Sequence, residues 1–330
     1  MKVTINDIAR MSHVSKSTVS RFLNGGSVSK TTADKIRRVI TETGYESNLF
    51  ASSLKRKKTR MIGVVFKGIQ SVSVGKMLEV INEQLREADY YPLITIESLS
   101  NSLEQEIEDL LTLNRQGVDG IILGTDNITE KHREVIKGMD IPVILVGQES
   151  QDIPYRKIDN VRAGHLVGEY IDKMGHENIA YLGPSEEDRE VGFHRKKGVM
   201  DYFDQKNKSV SILNYKTGYT FEAGYEQGRK VLAEAATVAV CATDRIAMGL
   251  IQYLKEQDYL IPEDLSIIGF GNYDFSSVIS PGLTTVSFDY KRLSELVVQD
   301  MIQLINDEAL GNVDDVEMKL VERESVRNNN

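Results

Sequence analysis

The sequence predicts an α/β protein with a small all-helical segment at its N-terminus and two parallel-sheet lobes behind it. Three observations carry this prediction. Apolar residues have helical spacing within residues 4–44, a basic stretch ends at Arg60, and from Met61 onward compact apolar runs alternate with amphipathic stretches. A length of 330 residues and a hydrophobic content of 41% allow two or three domains with sizeable cores.

The segment from Thr4 to Asn24 has the pattern of two short helices joined by a tight turn. Thr4 precedes the first helix and makes an approximate capping box with Asp7. Ser15 can cap the second helix, and Gly44 can supply the left-handed residue that ends a third, amphipathic helix. The pattern therefore predicts a helix-turn-helix unit with a minimal core.

The second helix of this unit has an almost entirely polar face, and the head is basic. Residues 1 to 60 carry 13 Lys or Arg against 4 Asp or Glu, hence +9, whereas the other 270 residues carry 27 against 45, hence −18. A positive head on a negative body suits phosphate binding and argues against a merely solvated helical hairpin. The groups suited to base edges and phosphates are Lys16, Ser17, Thr18, Ser20, Arg21 and Asn24.

Residues 45–60, YESNLFASSLKRKKTR, connect the basic head to the apolar body. The stretch is too short for a stable isolated helix, so we expect it to order only on a partner. Leu54 could wedge a base step from the minor groove. A flexible basic linker is the alternative, and the position between head and body favours the functional interpretation.

The motif DIARMSHVSKSTVSRFLN, the pair Gly44-Tyr45 and the body motifs CATDRIAMG and GFGN resemble the lactose-repressor and galactose-repressor family of transcription regulators over essentially the full length. The resemblance implies two Rossmann-like lobes of the periplasmic-binding-protein type behind the helix-turn-helix headpiece. It predicts a headpiece over 1–46, a hinge helix and linker over 47–60, and a core over 61–330 with an N-lobe (about 61–158 and 288–308) and a C-lobe (about 159–287 and 309–330).

The same resemblance assigns roles in DNA binding. It places Lys16, Ser17 and Arg21 at the base-reading positions and Leu54 at the hinge position that intercalates at the operator centre. Ser47 stands where members often have proline, which leaves the hinge less preorganised. The remaining residues that it places near DNA are Thr4, Ser15, Thr18, Asn24, Ser29, Thr32, Tyr45, Asn48 and Ala51.

Polar side chains follow several of the predicted strands in the body. Parallel sheets bind ligands beyond the carboxyl ends of their strands, so these positions predict an effector site. A mixture of charged, amide and aromatic groups suits hydroxyl-rich ligands such as sugars. For each residue alone, a solvated cap or surface pair is the competing interpretation. The candidate effector residues are Lys67, Gln148, Arg195, Tyr219, Asp244 and Asn272.

The body motifs are most similar to those of the sucrose and trehalose repressors. This resemblance implies a sugar or a sugar phosphate as effector, acting as inducer or, in the alternative, as corepressor. Lys67 would suit an anionic group as a point charge. Gly271 replaces an aspartate that clasps sugar hydroxyls in many members.

Other function classes have little support. The sequence has no P-loop and no GxSxG, and Cys241 and the five histidines show no catalytic or metal-binding spacing, so we expect neither an enzyme nor a cofactor. A sugar-binding transport protein would share the body but not the basic head. Without an apolar leader or a long apolar run, we expect a cytoplasmic protein with no membrane contact.

The expected assembly is a homodimer on near-palindromic operator DNA, because a short half-site reader binds weakly alone. The C-terminal segment lacks the leucine heptads of a coiled coil, so the tetramerising tail of some relatives is not expected.

Overall fold

The computed structural model of the protein describes residues 3–23, 26–45, 58–68, 71–98, 102–311 and 316–330. The chain divides into two compact units, Met1–Arg60 and Met61–Asn330. Four of the residues predicted to bind DNA lie outside the described residues, namely Asn24, Asn48, Ala51 and Leu54.

The first unit contains the three predicted helices, α1 (Ile5–Met11), α2 (Lys16–Leu23) and α3 (Lys30–Thr43). Their apolar faces meet in a small core around Ile8, Val19 and Ile36, each fully buried. The predicted caps are confirmed. Thr4 makes both bonds of a capping box, the amide of Thr18 donates to Ser15 Oγ at 3.1 Å, and Gly44 ends α3 with φ +59°.

The second unit contains two sheets with helices on their faces. The first sheet has the order β2-β1-β3-β4-β5 and is parallel throughout. The second has the order β11-β10-β9-β8-β6-β7, and β11 runs antiparallel to β10. The strands are β1 (Met61–Lys67), β2 (Tyr91–Glu97), β3 (Gly120–Gly124), β4 (Val143–Val146), β5 (Tyr155–Arg156), β6 (Asn178–Gly183), β7 (Ser211–Lys216), β8 (Val238–Cys241), β9 (Ser266–Gly271), β10 (Thr284–Phe288) and β11 (Met318–Val321).

The helices of this unit connect the strands in the order typical of an α/β fold. They are α4 (Val72–Glu87), α5 (Leu103–Arg115), α6 (Glu130–Lys137), α7 (Asn160–Lys173), α8 (Arg195–Gln205), α9 (Phe221–Leu232), α10 (Asp244–Glu256), α11 (Asp274–Val278) and α12 (Tyr290–Ile305), with a π-helical turn over Arg189–His194 before α8.

The central strands are buried because helices cover both faces of the sheets. Strands β3, β4, β8 and β9 are buried at every position, which explains why they read as continuous apolar runs in the sequence. Strand β2 lies at the edge of the first sheet and is only partly buried. The predicted α/β class with two parallel-sheet lobes is confirmed.

The chain passes between the two lobes three times: after β5, after β10, and between α12 and β11. Helix α12 packs against α4, β3 and β4 of the first lobe although it follows a strand of the second. A buried ion pair fixes it there, since Arg156 Nε lies 2.5 Å from Asp300 Oδ2 and Arg156 Nη2 lies 3.0 Å from Asp300 Oδ1. The residue limits of the predicted domains stay a prediction.

Candidate functional site

A cavity of about 190 Å³ lies between the two lobes of the second unit. Residues at the carboxyl ends of parallel strands form much of its wall, which is where this class of sheet presents ligands. The first lobe contributes Lys67 at the end of β1, Asp126 after β3 and Gln148 after β4. The second contributes Asp188 after β6 and Thr243 after β8.

The rest of the wall is largely apolar and aromatic. Such surface can pack against the C–H faces of a sugar ring, while the few polar groups fix its orientation. The apolar and aromatic lining residues are Phe66, Val72, Val74, Met77, Val146, Ile158, Val191, Tyr219, Tyr273, Tyr290 and Leu293.

Arg195 is a buried, preorganised cation in the second lobe. Its Nε donates to Asn160 Oδ1 at 2.8 Å, and its Nη1 donates to the carbonyl oxygen of Ala242 at 2.6 Å. The guanidinium lies 5.2 Å from the ring centre of Phe270 and 5.1 Å from that of Phe288. Its Nη2 forms no hydrogen bond with the described residues, so the two N–H groups of Nη2 remain for a ligand.

A close contact between α7 and α8 brings Arg195 to the cavity. A Cβ atom added to Gly164 would lie 2.1 Å from the carbonyl oxygen of Arg195, and one added to Gly198 would lie 2.0 Å from the carbonyl oxygen of Val161. Only glycine at both positions allows the two backbones to approach this closely.

Asp188 and Tyr219 form a second polar pair on the same lobe. Asp188 Oδ1 accepts hydrogen bonds from the amides of Glu190 and Val191 at 3.0 and 2.9 Å and so caps the π-helical turn. Asp188 Oδ2 accepts from the hydroxyl of Tyr219. Burial, together with the charges of Asp188 and Asp126, raises the pKa of Tyr219, which therefore stays a neutral donor.

The charge of Lys67 is already paired. Its Nζ lies 2.9 Å from Oε2 of Glu106, a buried carboxylate on α5, and His132 Nε2 lies 3.5 Å from the same oxygen. The amide of Thr129 donates to His132 Nδ1 at 3.2 Å, so Nδ1 acts as an acceptor and the N–H of the ring lies at Nε2, toward Glu106. Burial lowers the pKa of Lys67, but the hydrogen bond and charge of Glu106 outweigh it and raise the pKa overall.

Behind this pair lies a second buried carboxyl group, Glu97 at the end of β2. Neither of its carboxyl oxygens has a hydrogen-bond partner among the described residues. Burial and the charge of Glu106 raise the pKa of Glu97 to about 7. The first lobe thus holds one ionised carboxylate against Lys67 and a second carboxyl group that titrates near neutrality.

Asp126 faces the cavity without a partner for its carboxylate among the described residues. Its backbone carbonyl accepts from Gln148 Nε2 at 2.8 Å, which fixes the loop. Burial, followed by the charge of Asp188 on the opposite lobe, raises the pKa of Asp126. The two lobes therefore present carboxylates to the same space.

The first unit presents a basic face on α2. Lys16, Ser17 and Arg21 are exposed, whereas Val19 on the opposite side is fully buried in the helical core. Neither Lys16 nor Arg21 makes a salt bridge within the described residues, while the neighbouring Arg10 is paired with Asp7. Free cations and hydroxyls on one exposed helix face can contact base edges and phosphates.

The remaining described residues predicted to bind DNA lie mostly at helix starts. Thr4, Ser15 and Ser29 cap α1, α2 and α3, and helix N-termini attract phosphate groups. Thr18 and Thr32 share hydroxyl hydrogen bonds of 2.8 Å with Ser15 and Ser29. Tyr45, by contrast, packs against the helical core of the unit.

Known proteins match both units of the chain. The model for bacterial regulatory proteins of the lacI family matches residues 4–48, and that for a periplasmic binding protein-like domain matches residues 169–326. The sucrose operon repressor of Staphylococcus xylosus is 31% identical over 314 residues, which cover 93% of this chain and 95% of that protein. This chain belongs to the lacI family of bacterial regulatory proteins.

One further relative supports membership of the lacI family, and one solved structure shows the same fold. Catabolite control protein A of Priestia megaterium is 32% identical over 295 residues, 87% of each chain. A crystal structure of the lac repressor dimer bound to operator and the anti-inducer ONPF has a TM-score of 0.91 and 22% identity, and covers 99% of this chain and 100% of that one. The predicted family is confirmed, and with it the interpretation as a regulatory protein and not an enzyme.

In this lacI-family chain, four of the six predicted effector residues line the cavity: Lys67, Gln148, Arg195 and Tyr219. The structure places the other two elsewhere. Asp244 is fully buried at the start of α10, and Asn272 lies beside β10, where its Oδ1 accepts from Arg323 Nη2 at 2.7 Å.

The position of Asp244 has a structural cause. Its Oδ2 accepts from Ser276 Oγ at 2.6 Å and from the amide of Tyr273 at 3.2 Å, and its Oδ1 accepts from Thr285 Oγ1 at 2.6 Å. These bonds tie the start of α10, which follows β8, to the segment after β9, to α11 and to β10. Asp244 therefore supports the wall of the cavity from behind.

Sequence reasoning missed several lining residues of the lacI-family cavity. Asp126 follows the strand GIILG, so the same strand-end rule that selected Lys67 could have found it. Asp188 lies within a loop and had no comparable signal. The other missed polar residues that line the cavity are Ser71, Ser73, Thr125, Asn160, Glu190, Thr220, Thr243 and Arg245.

The described residues of this lacI-family chain contain neither a candidate membrane-spanning helix nor a candidate metal site. No helix within the described ranges is long and apolar enough to cross a membrane. In the same part of the chain, no group of three or more His, Cys, Asp or Glu side chains is arranged to hold a metal ion.

Proposed function

We propose that this chain is a sugar-responsive transcription repressor that binds operator DNA as a homodimer and leaves it when a sugar enters the cavity. One observation carries the proposal: a single chain joins an exposed basic helix face to a cavity lined by aromatic rings, carboxylates and a preorganised arginine. The similarity to the sucrose operon repressor of Staphylococcus xylosus supports a sugar, such as a disaccharide, as effector.

The DNA-binding half of the proposal rests on α2. Lys16, Ser17 and Arg21 occupy one exposed face, and a helix of this kind fits the major groove of B-DNA. Phosphate contacts from the helix starts capped by Thr4 and Ser29 would fix its orientation.

The effector-binding half rests on the cavity between the lobes. Asp126 and Gln148 belong to one lobe, and Arg195 and Tyr219 belong to the other, so a ligand that contacts both changes the preference between lobe arrangements. Linkage then requires that the sugar and the operator favour different arrangements of the same protein.

A homodimer would place two such helices on two half-sites. Apolar residues on the second unit are available for the contact. Tyr91 is 52% exposed and Ile94 is 43% exposed on the edge strand β2, and Val278 at the end of α11 is 80% exposed. Large apolar side chains at a sheet edge are typical of an interface with another chain.

The test of DNA binding compares Arg21→Ala with Arg38→Ala in a mobility-shift assay on an operator selected from random duplexes. Both variants lose one positive charge from the first unit, but Arg38 is exposed on α3 and lies 3.6 Å from Glu42. We expect Arg21→Ala to weaken binding by about tenfold or more, as for a lost base contact, and Arg38→Ala to weaken it far less. Equal effects would contradict a reading role for α2.

The test of effector binding uses Arg195→Ala on the same operator. We expect this variant to bind DNA normally and to remain bound when sugar is added, because the cavity has lost its preorganised donor. Simultaneous loss of DNA binding and sugar response would contradict the separation of the two roles.

A further inference from the structure

We infer, on the basis of the proposed sugar-responsive function, that the cavity selects a neutral sugar and rejects its phosphorylated form, because Glu106 neutralises Lys67 and Asp126 presents an unpartnered carboxylate. Lys67 is the strand-end cation that, from sequence, would suit an anionic effector. Its contacts give it a different role.

The positive charge of Lys67 is neutralised by a buried carboxylate. Its Nζ is 2.9 Å from Oε2 of Glu106, and the Glu106 side chain is only 2% exposed. His132 Nε2 approaches the same carboxylate at 3.5 Å. A phosphate drawn to Lys67 would have to compete with a carboxylate that cannot reach water, and a buried carboxylate that loses its partner is strongly unfavourable.

The carboxylates on the cavity wall also disfavour the binding of an anion. Asp126 on the first lobe has no partner for its carboxylate among the described residues, and Asp188 faces the same cavity from the second lobe. Asp188 is already bonded to two amides and to Tyr219. A sugar hydroxyl can donate to Asp126, whereas the negative charge of a phosphate is repelled by the carboxylates of Asp126 and Asp188.

Only part of the Arg195 guanidinium is available to a ligand. Its Nε donates to Asn160 and one N–H of Nη1 donates to the carbonyl oxygen of Ala242. Arginine holds phosphate most strongly through two parallel N–H groups, and the bond to Asn160 removes the pair formed by Nε and Nη2. The N–H groups of Nη2 can donate to sugar hydroxyls. The third lining cation, Arg245, is partly exposed and already engages another group.

Helices α4, α7, α9, α10 and α12 begin at the cavity wall, and their N-termini do not reverse this balance. Asp159 and Asp289 cap α7 and α12, and the first turn of α9 contains Glu222. The first turn of α10 already contains Asp244, which offsets the positive end of that helix. The first turn of α4 contains no acidic residue, and Ser73 in that turn lines the cavity. A helix N-terminus supplies about half an elementary charge, whereas a phosphate monoester carries about −1.5 to −2.

The test is isothermal titration calorimetry on the full-length protein with sucrose, trehalose and glucose, each measured beside its 6-phosphate. We expect at least one neutral sugar to bind more tightly than its phosphate by about tenfold or more, since like charges in a binding site are strongly unfavourable. Tighter binding of any phosphate than of its neutral partner would overturn the inference and leave the sugar-responsive function standing. Absence of binding by all six sugars would instead overturn the proposed function.

A pair of variants tests the residue-level cause. Glu106→Gln frees the charge of Lys67, and we expect it to raise the affinity for the sugar phosphate by about tenfold while the affinity for the neutral sugar changes less. Glu108→Gln is the matched control, because Glu108 lies on the same helix but is exposed and paired with Arg115. Equal affinities for the phosphate in wild type, Glu106→Gln and Glu108→Gln would refute the role of the buried pair. Should Glu106→Gln fail to fold, the comparison in the wild-type protein still decides the inference.

Discussion

Replacing Asp244 with Ala should lower the stability of the second lobe, although the motif CATDRIAMG that contains Asp244 suggests a ligand-binding residue. The side chain is fully buried and accepts hydrogen bonds from Ser276, Thr285 and the amide of Tyr273. These donors belong to α11, to β10 and to the segment after β9. Without the carboxylate, all three remain buried and unpaired.

The size of the effect follows from the number of donors. A buried donor left without a partner costs about 1 to 3 kcal/mol, and release of the poorly solvated carboxylate offsets part of the sum. Burial raises the pKa of Asp244 even though its three donors act to lower it, which shows that this desolvation is substantial. We therefore expect a loss of about 3 to 5 kcal/mol in the free energy of unfolding. For a unit of this size that corresponds to a melting temperature lower by about 6 to 20 °C.

Differential scanning calorimetry checks this expectation, with Asp126→Ala as the contrasting variant. Asp126 is a cavity carboxylate with no hydrogen-bond partner among the described residues, so its removal should leave the melting temperature unchanged or slightly higher and should weaken sugar binding by about tenfold. A melting temperature for Asp244→Ala within about 2 °C of wild type, together with lost sugar binding, would refute the structural role and restore Asp244 to the binding site.

Three further predictions concern the second unit. The pKa of Glu97 is about 7 in the folded protein, and its ordinary value is 4.5. The free energy of unfolding should therefore fall as the pH rises from 4.5 to 7. Urea denaturation should show that Glu97→Gln raises the free energy of unfolding by about 2 to 3 kcal/mol at pH 8 and changes it little at pH 4. Gly198→Val should lower the melting temperature because its Cβ meets a backbone oxygen at 2.0 Å, whereas the open-space control Gly75→Ala should not. Tyr91→Asp should shift sedimentation toward monomer, and Tyr259→Asp, 39% exposed, should not.

The head was the part most readily predicted from sequence, because its signals are local. Capping by Thr4 and Ser15 depends on residues three positions away, and the left-handed Gly44 depends only on its own backbone. The exposed face of α2 follows from helical spacing around Val19. Interactions between residues this close in sequence can be predicted without knowledge of the tertiary fold.

The cavity was predicted only in part, because a strand-end position does not decide where a side chain points. Lys67 and Arg195 both line the cavity. Glu106 neutralises the charge of Lys67, and two nitrogens of Arg195 donate hydrogen bonds to Asn160 and Ala242. Asp244 has the same sequence setting as a ligand-binding residue. Its three donors come from segments about 30 to 40 residues away.

The amino-acid sequence was enough to predict the architecture of this protein: a basic three-helix head, a polar face on α2, and two lobes of parallel strands marked by apolar runs. These follow from periodicity and local propensity, which neighbouring residues carry. Tertiary structure alone decided the electrostatics of the cavity. Distant segments bring together the groups that decide whether Lys67 has an unpaired charge and whether Asp126 keeps an unpaired carboxylate. Burial strengthens these electrostatic effects because the interior of a protein has a low dielectric constant.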